Sequence, residues 1–345
     1  MKIKNQILSL VTMLAVAFVT FSCSTDEPKE VTPLKSIVEI AKADPANFSI
    51  LVDALRKTGL ETTLTSAGSY TVFAPTNAAF TAAGYSSANI NALTAPADNT
   101  AINNLRLILQ NHVIGLGTRA NDLLAAGYSR TFAAVRVPTS ASSNVNINLF
   151  VNKVGTDVFV NGGVANGGAK VTSADIEASN GIVHVVDGVI LLPTIVSHIK
   201  ANPNLSSLLG VVASAAQASV LTTLNGATAA APLTVYAPEN AAFTAATATT
   251  PTNGYLVGKS DAQVTSILRY HLENGNRAPS STTSYSTSAD VAITTLFTPN
   301  RFTILQGTVK IKDVVGTTNG TVKTFNIQGT NGVVQVIDKV LQPFQ

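Results

Sequence analysis

The chain has 345 residues, of which 46% are hydrophobic and only 12% charged, and its formal net charge is +3. This apolar-rich composition argues against a disordered chain, and at roughly 100–200 residues per domain the length suggests about two domains. The scarcity of charge argues against nucleic-acid binding, which needs clustered Lys and Arg. One cysteine excludes an intrachain disulfide framework and a Cys-rich metal site.

The first 22 residues have the pattern of a secretory signal peptide. Two lysines near the start precede an uncharged run over residues 7–19, and the small residue Ser22 comes shortly after it. That run is shorter than the about 20 apolar residues that a membrane-spanning helix needs. We therefore expect an exported protein whose leader, residues 1–22, is removed.

Cys23 stands where a bacterial lipoprotein carries its lipid-bearing cysteine, and residues 20–23 resemble a lipobox. The alternative is an ordinary secretory leader with a stray cysteine, but a lone thiol at this position has no other evident purpose. Residues 23–33 are predicted to be a lipidated, flexible tether. Asp26 and Glu27 resemble the acidic export signal of Bacteroidetes lipoproteins, which implies an outer-membrane protein at the cell surface.

The next predicted elements are two helices. Ser36 is a plausible N-cap for a helix over Ile37–Ala43, and Asp44-Pro45 ends that helix. A second helix follows, with one apolar face formed by Phe48, Leu51, Val52 and Leu55.

Strands are predicted further along the chain. Thr71–Ala74 is a short strand stopped by Pro75, after which Thr76 or Asn77 can cap a helical turn. The segment Val145–Val171 alternates apolar and polar residues, with predicted hairpin turns at 161–163 and 166–168. A Val- and Ile-rich strand is predicted over Ile182–Leu191.

Three segments recur in the same order. Thr71–Phe80 returns as Thr234–Phe243, residues 180–193 return as 331–344, and residues 105–114 match 264–273. The separations are far longer than the 20–50-residue period of a solenoid, so the pattern indicates a duplicated domain. The predicted domains are residues 34–193 and 194–345.

The recurring segments resemble the first motif, the Tyr-His motif and the second motif of fasciclin (FAS1) domains. This resemblance implies an α+β fold with two tandem FAS1-like domains, each a β-sandwich-like or wedge-shaped sheet flanked by helices. It also implies adhesion to other proteins or glycans. No sequence motif indicates a cofactor, and none is predicted.

The motifs contain the candidate site residues. His112 and His271 fall on apolar helical stripes, which is typical of packed, hydrogen-bonded core histidines. By resemblance, an adhesive role could fall on Asn111-His112 and on Tyr270-His271. Asp187 and Asp338 are predicted to bind backbone amides in a turn.

A catalytic pairing of His184 with Asp187 is not favoured, because residues three apart on a regular strand point to opposite faces. The four histidines, which include His198, have no short metal-ligand spacing, so no metal site is predicted.

The leading hypothesis is a lipid-anchored, non-catalytic surface module that contacts extracellular proteins or polysaccharides and meets the membrane only through its anchor. Exposed aromatic side chains are the usual platform for sugars. The candidate ligand contacts are therefore the tyrosines in loop-like segments: Tyr85, Tyr128, Tyr255 and Tyr285.

Two alternatives remain open. One is a glycan-modifying or hydrolytic enzyme that uses a pair of carboxylates drawn from Asp53, Asp157 or Asp175. The other is an accessory scaffold in an outer-membrane uptake complex.

Overall fold

The computed structural model describes residues 33–136, 144–244, 256, 258–278, 289–315 and 319–344. The predicted leader, the predicted anchor Cys23 and nearly all of the predicted tether lie outside the described residues. The same is true of Tyr255 and Tyr285.

The first two helices of the first domain begin and end at residues that cap helices. Ser36 caps the first helix in a reciprocal capping box with Glu39, and Asp44 caps the second, whose first residue is Pro45. The predicted helix over 37–43 is therefore confirmed. The helices of this domain are α1 (Ile37–Ala43), α2 (Pro45–Thr58), α3 (Leu60–Thr65), α4 (Asn77–Ala82), α5 (Ser87–Ala92), α6 (Asn99–Asn111) and α7 (Ala120–Ala126).

The strands of the first domain form a closed barrel in sequence order. Only the contact between the first and last strands is parallel; the other neighbours are antiparallel. The strands are β1 (Tyr70–Pro75), β2 (Val113–Ile114), β3 (Tyr128–Arg136), β4 (Asn144–Val154), β5 (Asp157–Val160), β6 (Ala169–Ala178) and β7 (Gly181–Val186).

The second domain repeats this plan, but its described strands form an open seven-stranded sheet. A single bridge between Glu273 and Thr295 links its two ends. The helices are α8 (Ile195–Ala201), α9 (Ser206–Val212), α10 (Ala218–Gly226), α11 (Asn240–Thr244) and α12 (Asp261–Tyr270). The strands are β8 (Leu233–Pro238), β9 (Leu272–Asn274), β10 (Val291–Thr294), β11 (Arg301–Ile304), β12 (Lys310–Lys312), β13 (Gly320–Gly329) and β14 (Gly332–Ile337).

The α+β class and the duplicated domain plan are confirmed, with two local differences. The hairpin turn after β4 lies at Gly155-Thr156, and residues 161–168 form a single connection from β5 to β6 that contains a 3₁₀ turn. The last predicted strand is shorter, because β7 ends at Val186 and the chain bends at Asp187-Gly188.

Each domain has an apolar layer on both sides of its sheet. One layer packs the helices against the sheet, as with Phe48 and Leu55 in the first domain and Ile199 and Leu208 in the second. The other is enclosed by the strands, around Phe73 and Phe302 respectively.

The two domains meet through buried polar and aromatic contacts. The Asn148 carboxamide oxygen on β4 accepts the backbone N–H of Gln328 at 2.9 Å. The Tyr128 ring contacts the imidazole of His198 at 5.8 Å, and its hydroxyl accepts a hydrogen bond from Asn202. The α8 end of the second domain therefore covers part of the outer face of β3 and β4.

Within the part of the chain that the structure describes, no single helix is long and apolar enough to cross a membrane. One bent pair, residues 203–212 and 215–226, meets the same length and hydropathy criteria at an angle of 78°.

Candidate functional site

His112 and Asn111 lie at the end of α6, where both side chains are buried. His112 donates from Nδ1 to the Ile108 carbonyl at 2.8 Å, and its Nε2 accepts the backbone N–H of Ile190 at 2.9 Å. Burial lowers the pKa of this imidazole to about 4. Asn111 donates to the Leu191 carbonyl at 3.1 Å. Both residues tie the helix end to the segment that follows β7.

The second domain repeats this arrangement at the end of α12. His271 donates from Nδ1 to the Ile267 carbonyl, and its Nε2 accepts the Leu341 N–H at 2.9 Å. Its pKa is likewise lowered to about 4 by burial. Tyr270 fills the position of Asn111, packs against Phe302 and donates its hydroxyl to the Arg301 carbonyl at 2.8 Å. Like Asn111, it is a buried connector.

His184 occupies a structural position that a glutamine fills in the other domain. Its Nδ1 accepts the Asp175 N–H at 3.1 Å and its Nε2 donates to the Thr118 carbonyl at 3.1 Å. In the second domain, Gln335 accepts the Asn326 N–H and donates to the Arg277 carbonyl, each at 2.9 Å. The uncharged amide makes the same two bonds, so the position requires one acceptor and one donor.

Asp187 and Asp338 each bind a backbone amide of the neighbouring strand. The Asp187 carboxylate accepts the Lys170 N–H at 2.7 Å, and Asp338 accepts the Thr321 N–H at 2.6 Å. Each carboxylate therefore holds the chain as it leaves β7 or β14.

Sequence reasoning missed the role of Asn180 and Asn331, the asparagines of the recurring Asn-Gly pairs. Asn180 accepts the Ile37 N–H at 3.0 Å and donates to the Leu64 carbonyl at 2.7 Å. Asn331 accepts the Ile195 N–H at 2.8 Å and donates to the Leu224 carbonyl at 3.1 Å. The signal was present in the repeat, because both asparagines recur at the same point of the motif.

Close backbone packing explains why each pair contains a glycine. A Cβ at Gly181 would lie 2.0 Å from the Tyr70 carbonyl oxygen, and one at Gly332 would lie 2.0 Å from that of Leu233. Any side chain there would separate β7 from β1, or β14 from β8.

Tyr85 lies in the loop between α4 and α5. Its ring is half-buried, 6.1 Å from that of Phe80 in an edge-to-face contact, so much of its apolar surface packs inward.

The expectation of a loop tyrosine at position 128 is wrong. Tyr128 begins β3, and its ring packs between Phe150 at 4.6 Å and His198 at 5.8 Å. Burial raises the pKa of its hydroxyl well above the usual value. The second domain covers this ring, so Tyr128 is not an exposed aromatic platform for a ligand.

The three carboxylates considered for catalysis lie on different elements. Asp53 on α2 forms an ion pair with Arg56 at 3.4 Å, and Asp157 on β5 pairs with Lys170 at 2.9 Å. Asp175 on β6 accepts the Ala120 N–H at 2.9 Å. Each carboxylate thus has its own cationic or amide partner, and the structure supplies no contact that pairs one with another.

A further carboxylate, Glu273 on β9, is buried in the second domain. Arg277 donates to both of its oxygens at 2.6–2.9 Å, and the Tyr236 hydroxyl donates to one of them at 3.0 Å. These bonds satisfy a charge that would otherwise be costly to bury. The arrangement fixes β9 against β8.

An open cleft of about 430 Å³ lies between α9 and α12. Its lining includes one carboxylate, Asp261, with hydroxyls from Ser207 and Ser214. Enclosed voids beneath the helix layers measure about 20 Å³ and about 10 Å³, no more than the space of a water molecule. No three His, Cys, Asp or Glu side chains within the described ranges converge as a metal site would require.

Comparison with known proteins agrees with the duplicated architecture. The fasciclin domain family matches residues 46–193 and 203–343. Protein sll1483 of Synechocystis is 33% identical over 158 residues, which are 46% of this chain and 74% of that protein.

Two animal proteins also match. Transforming growth factor-beta-induced protein ig-h3 of Sus scrofa is 32% identical over 164 residues, covering 47% of this chain and 20% of that protein. The solved FAS1 domain pair of the insect cell adhesion molecule fasciclin I covers 88% of this chain and 94% of its own, at 18% identity and a TM-score of 0.43. From its two family matches, the chain belongs to the fasciclin family as a tandem FAS1 protein, and fasciclin domains are linked to cell adhesion and binding.

Proposed function

We propose that this protein is an exported, lipid-anchored adhesion module at the outer-membrane surface, which binds extracellular proteins or polysaccharides without catalysing a reaction. The observation that carries the proposal is that both halves of the chain are fasciclin domains. A duplicated binding domain offers two surfaces on one anchor, and this raises the effective concentration of the second contact once the first has formed.

The internal hydrogen bonds of the motif side chains support a binding role over a catalytic one. His112, His184, His271, Asp187 and Asp338 all hold backbone groups within their own domains. A general acid or base must reach a substrate proton, and these groups are committed to internal hydrogen bonds.

Adhesion can be tested with the protein without its leader, coupled to beads and presented to an array of matrix proteins and glycans. We expect saturable retention of at least one ligand class, and beads coupled to heat-denatured protein are the control. Absence of retention across the whole array would contradict the proposal.

The anchor can be tested by expressing the full chain and the variant Cys23→Ser with a labelled fatty acid. The unchanged chain is expected to incorporate label and to be cleaved by protease added to intact cells. The variant is expected to lose the label and to appear in the soluble fraction. Equal labelling of both chains would contradict lipidation at Cys23.

A further inference from the structure

The outer face of β11 and β12 carries three exposed cations, Arg301, Lys310 and Lys312. The residues between them, Phe302 and Ile311, point into the core. Strict alternation along both strands therefore places all three charges on the same side of the sheet. We call Arg301, Lys310 and Lys312 the basic face.

Strand register fixes the spacing of these charges. Lys312 lies opposite Thr303, Arg301 lies opposite Thr294, and Lys310 lies opposite Thr321. Adjacent strands are about 5 Å apart and alternate residues on a strand about 7 Å apart. The basic face is thus a compact field of three cations, each with a small threonine side chain directly opposite it on the neighbouring strand.

The cations of the basic face have no carboxylate partner among the described residues. The ion pairs formed by the neighbouring lysines use other groups: Lys323 pairs with Asp338 at 3.2 Å and Lys339 with Asp313 at 2.8 Å. Asp290, which precedes β10, accepts the Gln306 N–H at 2.7 Å. These three carboxylates are therefore engaged by other groups, and the three cations of the basic face give it a positive potential.

The equivalent face of the first domain is an interface. Asn148 on that face contacts the second domain through the Gln328 N–H. The positions of the basic face are uncharged in the first domain, where register aligns Asn148 with Arg301, Phe159 with Lys310 and Asn161 with Lys312. The duplicated fold thus uses this side of the sheet for docking in one copy and has three cations on it in the other.

We propose that the basic face binds an extended anionic polysaccharide, an inference that rests on the adhesive function proposed above. Carboxylate or sulfate groups along such a chain complement the three cations, and the threonine hydroxyls can hydrogen-bond sugar hydroxyls. Single-stranded nucleic acid would favour aromatic rings for base stacking, whereas the residues directly opposite the cations are threonines.

The test measures binding of the protein without its leader to heparin and polygalacturonate, with neutral dextran as the uncharged probe, at two salt concentrations. The variant Arg301→Gln/Lys310→Gln/Lys312→Gln removes the basic face. Its matched control, Lys35→Gln/Lys153→Gln/Lys200→Gln, removes the same charge from exposed sites elsewhere. A third variant, Lys310→Arg/Lys312→Arg, keeps the charge of the basic face.

We expect the unchanged protein to bind at least one polyanion, less tightly at higher salt, and not to bind dextran. Because exposed charge contacts are individually weak, removal of all three is expected to weaken binding about tenfold. The control and the arginine variant should bind as the unchanged protein does, with melting temperatures unaltered in all variants.

Equal weakening by the matched control would overturn the proposal, since it would reflect net charge alone. Tighter binding to duplex DNA, or loss of self-association rather than of polyanion binding in sedimentation, would assign the face to another partner and also overturn it. Retention of matrix proteins or neutral glycans with no binding to either polyanion removes this inference and leaves the adhesive function standing. Retention of no ligand at all removes both.

Discussion

At the residue scale, the buried histidines His112, His184 and His271 act as neutral connectors with one donating and one accepting nitrogen. His112 and His271 each accept a backbone N–H on Nε2, while His184 accepts one on Nδ1. A second ring proton would place two donors face to face. The bonding therefore holds each ring in a single tautomer.

Gln335 makes the same two hydrogen bonds in the second domain as His184 makes in the first. His184→Gln is therefore expected to cost less than about 1 kcal/mol of unfolding free energy. His184→Ala leaves the Asp175 N–H unsatisfied and removes one donor to the Thr118 carbonyl, and it should cost about 2–4 kcal/mol. Urea denaturation of the two variants checks this. Equal losses would show that ring packing against Phe73, rather than the hydrogen bonds, fixes this position.

The buried histidines also predict a pH dependence of stability. Burial lowers the pKa of His112, His198 and His271 to about 4, below the value of about 6.5 in the unfolded chain. Between these values the unfolded chain binds more protons, so stability is full above pH 6.5 and falls as the pH drops toward 4. Each histidine contributes about 2 kcal/mol to the loss between pH 7 and pH 4.5.

The measurement is the free energy of unfolding in urea at pH 7, 5.5 and 4.5. The double variant His112→Gln/His271→Gln is expected to show a shallower slope, since two of the groups that take up protons on unfolding are gone. A slope equal to that of the unchanged protein would contradict the prediction.

At the scale of elements, single polar side chains attach helices to one another and to the sheet, and they do so in the same way in both domains. Asn77 on α4 accepts the Ile50 N–H of α2 at 2.9 Å, and Asn240 on α11 accepts the Ser207 N–H of α9 at 2.9 Å. Asn180 and Asn331 hold the starts of α1 and α8. The repeated motif therefore consists largely of asparagines that connect one element to another, and we call these side chains joints.

Replacing one joint should destabilise its own domain. Asn180→Ala and Asn331→Ala each remove a buried amide that bonds backbone groups from distant segments, at an expected cost of about 2–4 kcal/mol. Asn121→Ala, an exposed position on α7, is the control and should change stability by less than about 0.5 kcal/mol. Amide hydrogen exchange is expected to rise first in α1 for the former and in α8 for the latter. A change confined to the opposite domain would contradict this assignment.

At the scale of the whole molecule, the two domains share a buried interface. Its centre is Gln328, whose N–H bonds Asn148 and whose carbonyl accepts from His198 at 3.1 Å. The Tyr128 ring packs beside it. We therefore expect these contacts to couple the folding of the second domain to that of the first.

Tyr128→Ala/Asn148→Ala is expected to separate the thermal transitions of the two domains or lower the first of them, because it leaves a cavity and an unpaired amide at the interface. Scanning calorimetry of the unchanged protein should show one cooperative transition. The exposed substitution Asn144→Ala on β4 is the control. A single unshifted transition in the double variant would show that the interface contributes little.

Local signals made much of the fold predictable. The capping box at Ser36, the Asp44-Pro45 boundary and the stop at Pro75 act within a few residues. The limits of α1, the start of α2 and the end of β1 therefore follow closely from the sequence. The duplication is equally visible, since both copies need the same joints. The bonding partners of those joints lie too far along the chain to be read from the pattern.

What the sequence determined by itself was the family, the two tandem α+β domains and the packed character of the motif histidines. Tertiary structure alone decided that the first sheet closes into a barrel, that Tyr128 lies beneath the second domain and that the basic face stays open. The physical reason is the distance along the chain between contacting residues. Whether a surface is covered depends on contacts such as that between Asn148 and Gln328, 180 residues apart. Neither periodicity nor capping carries information over that distance.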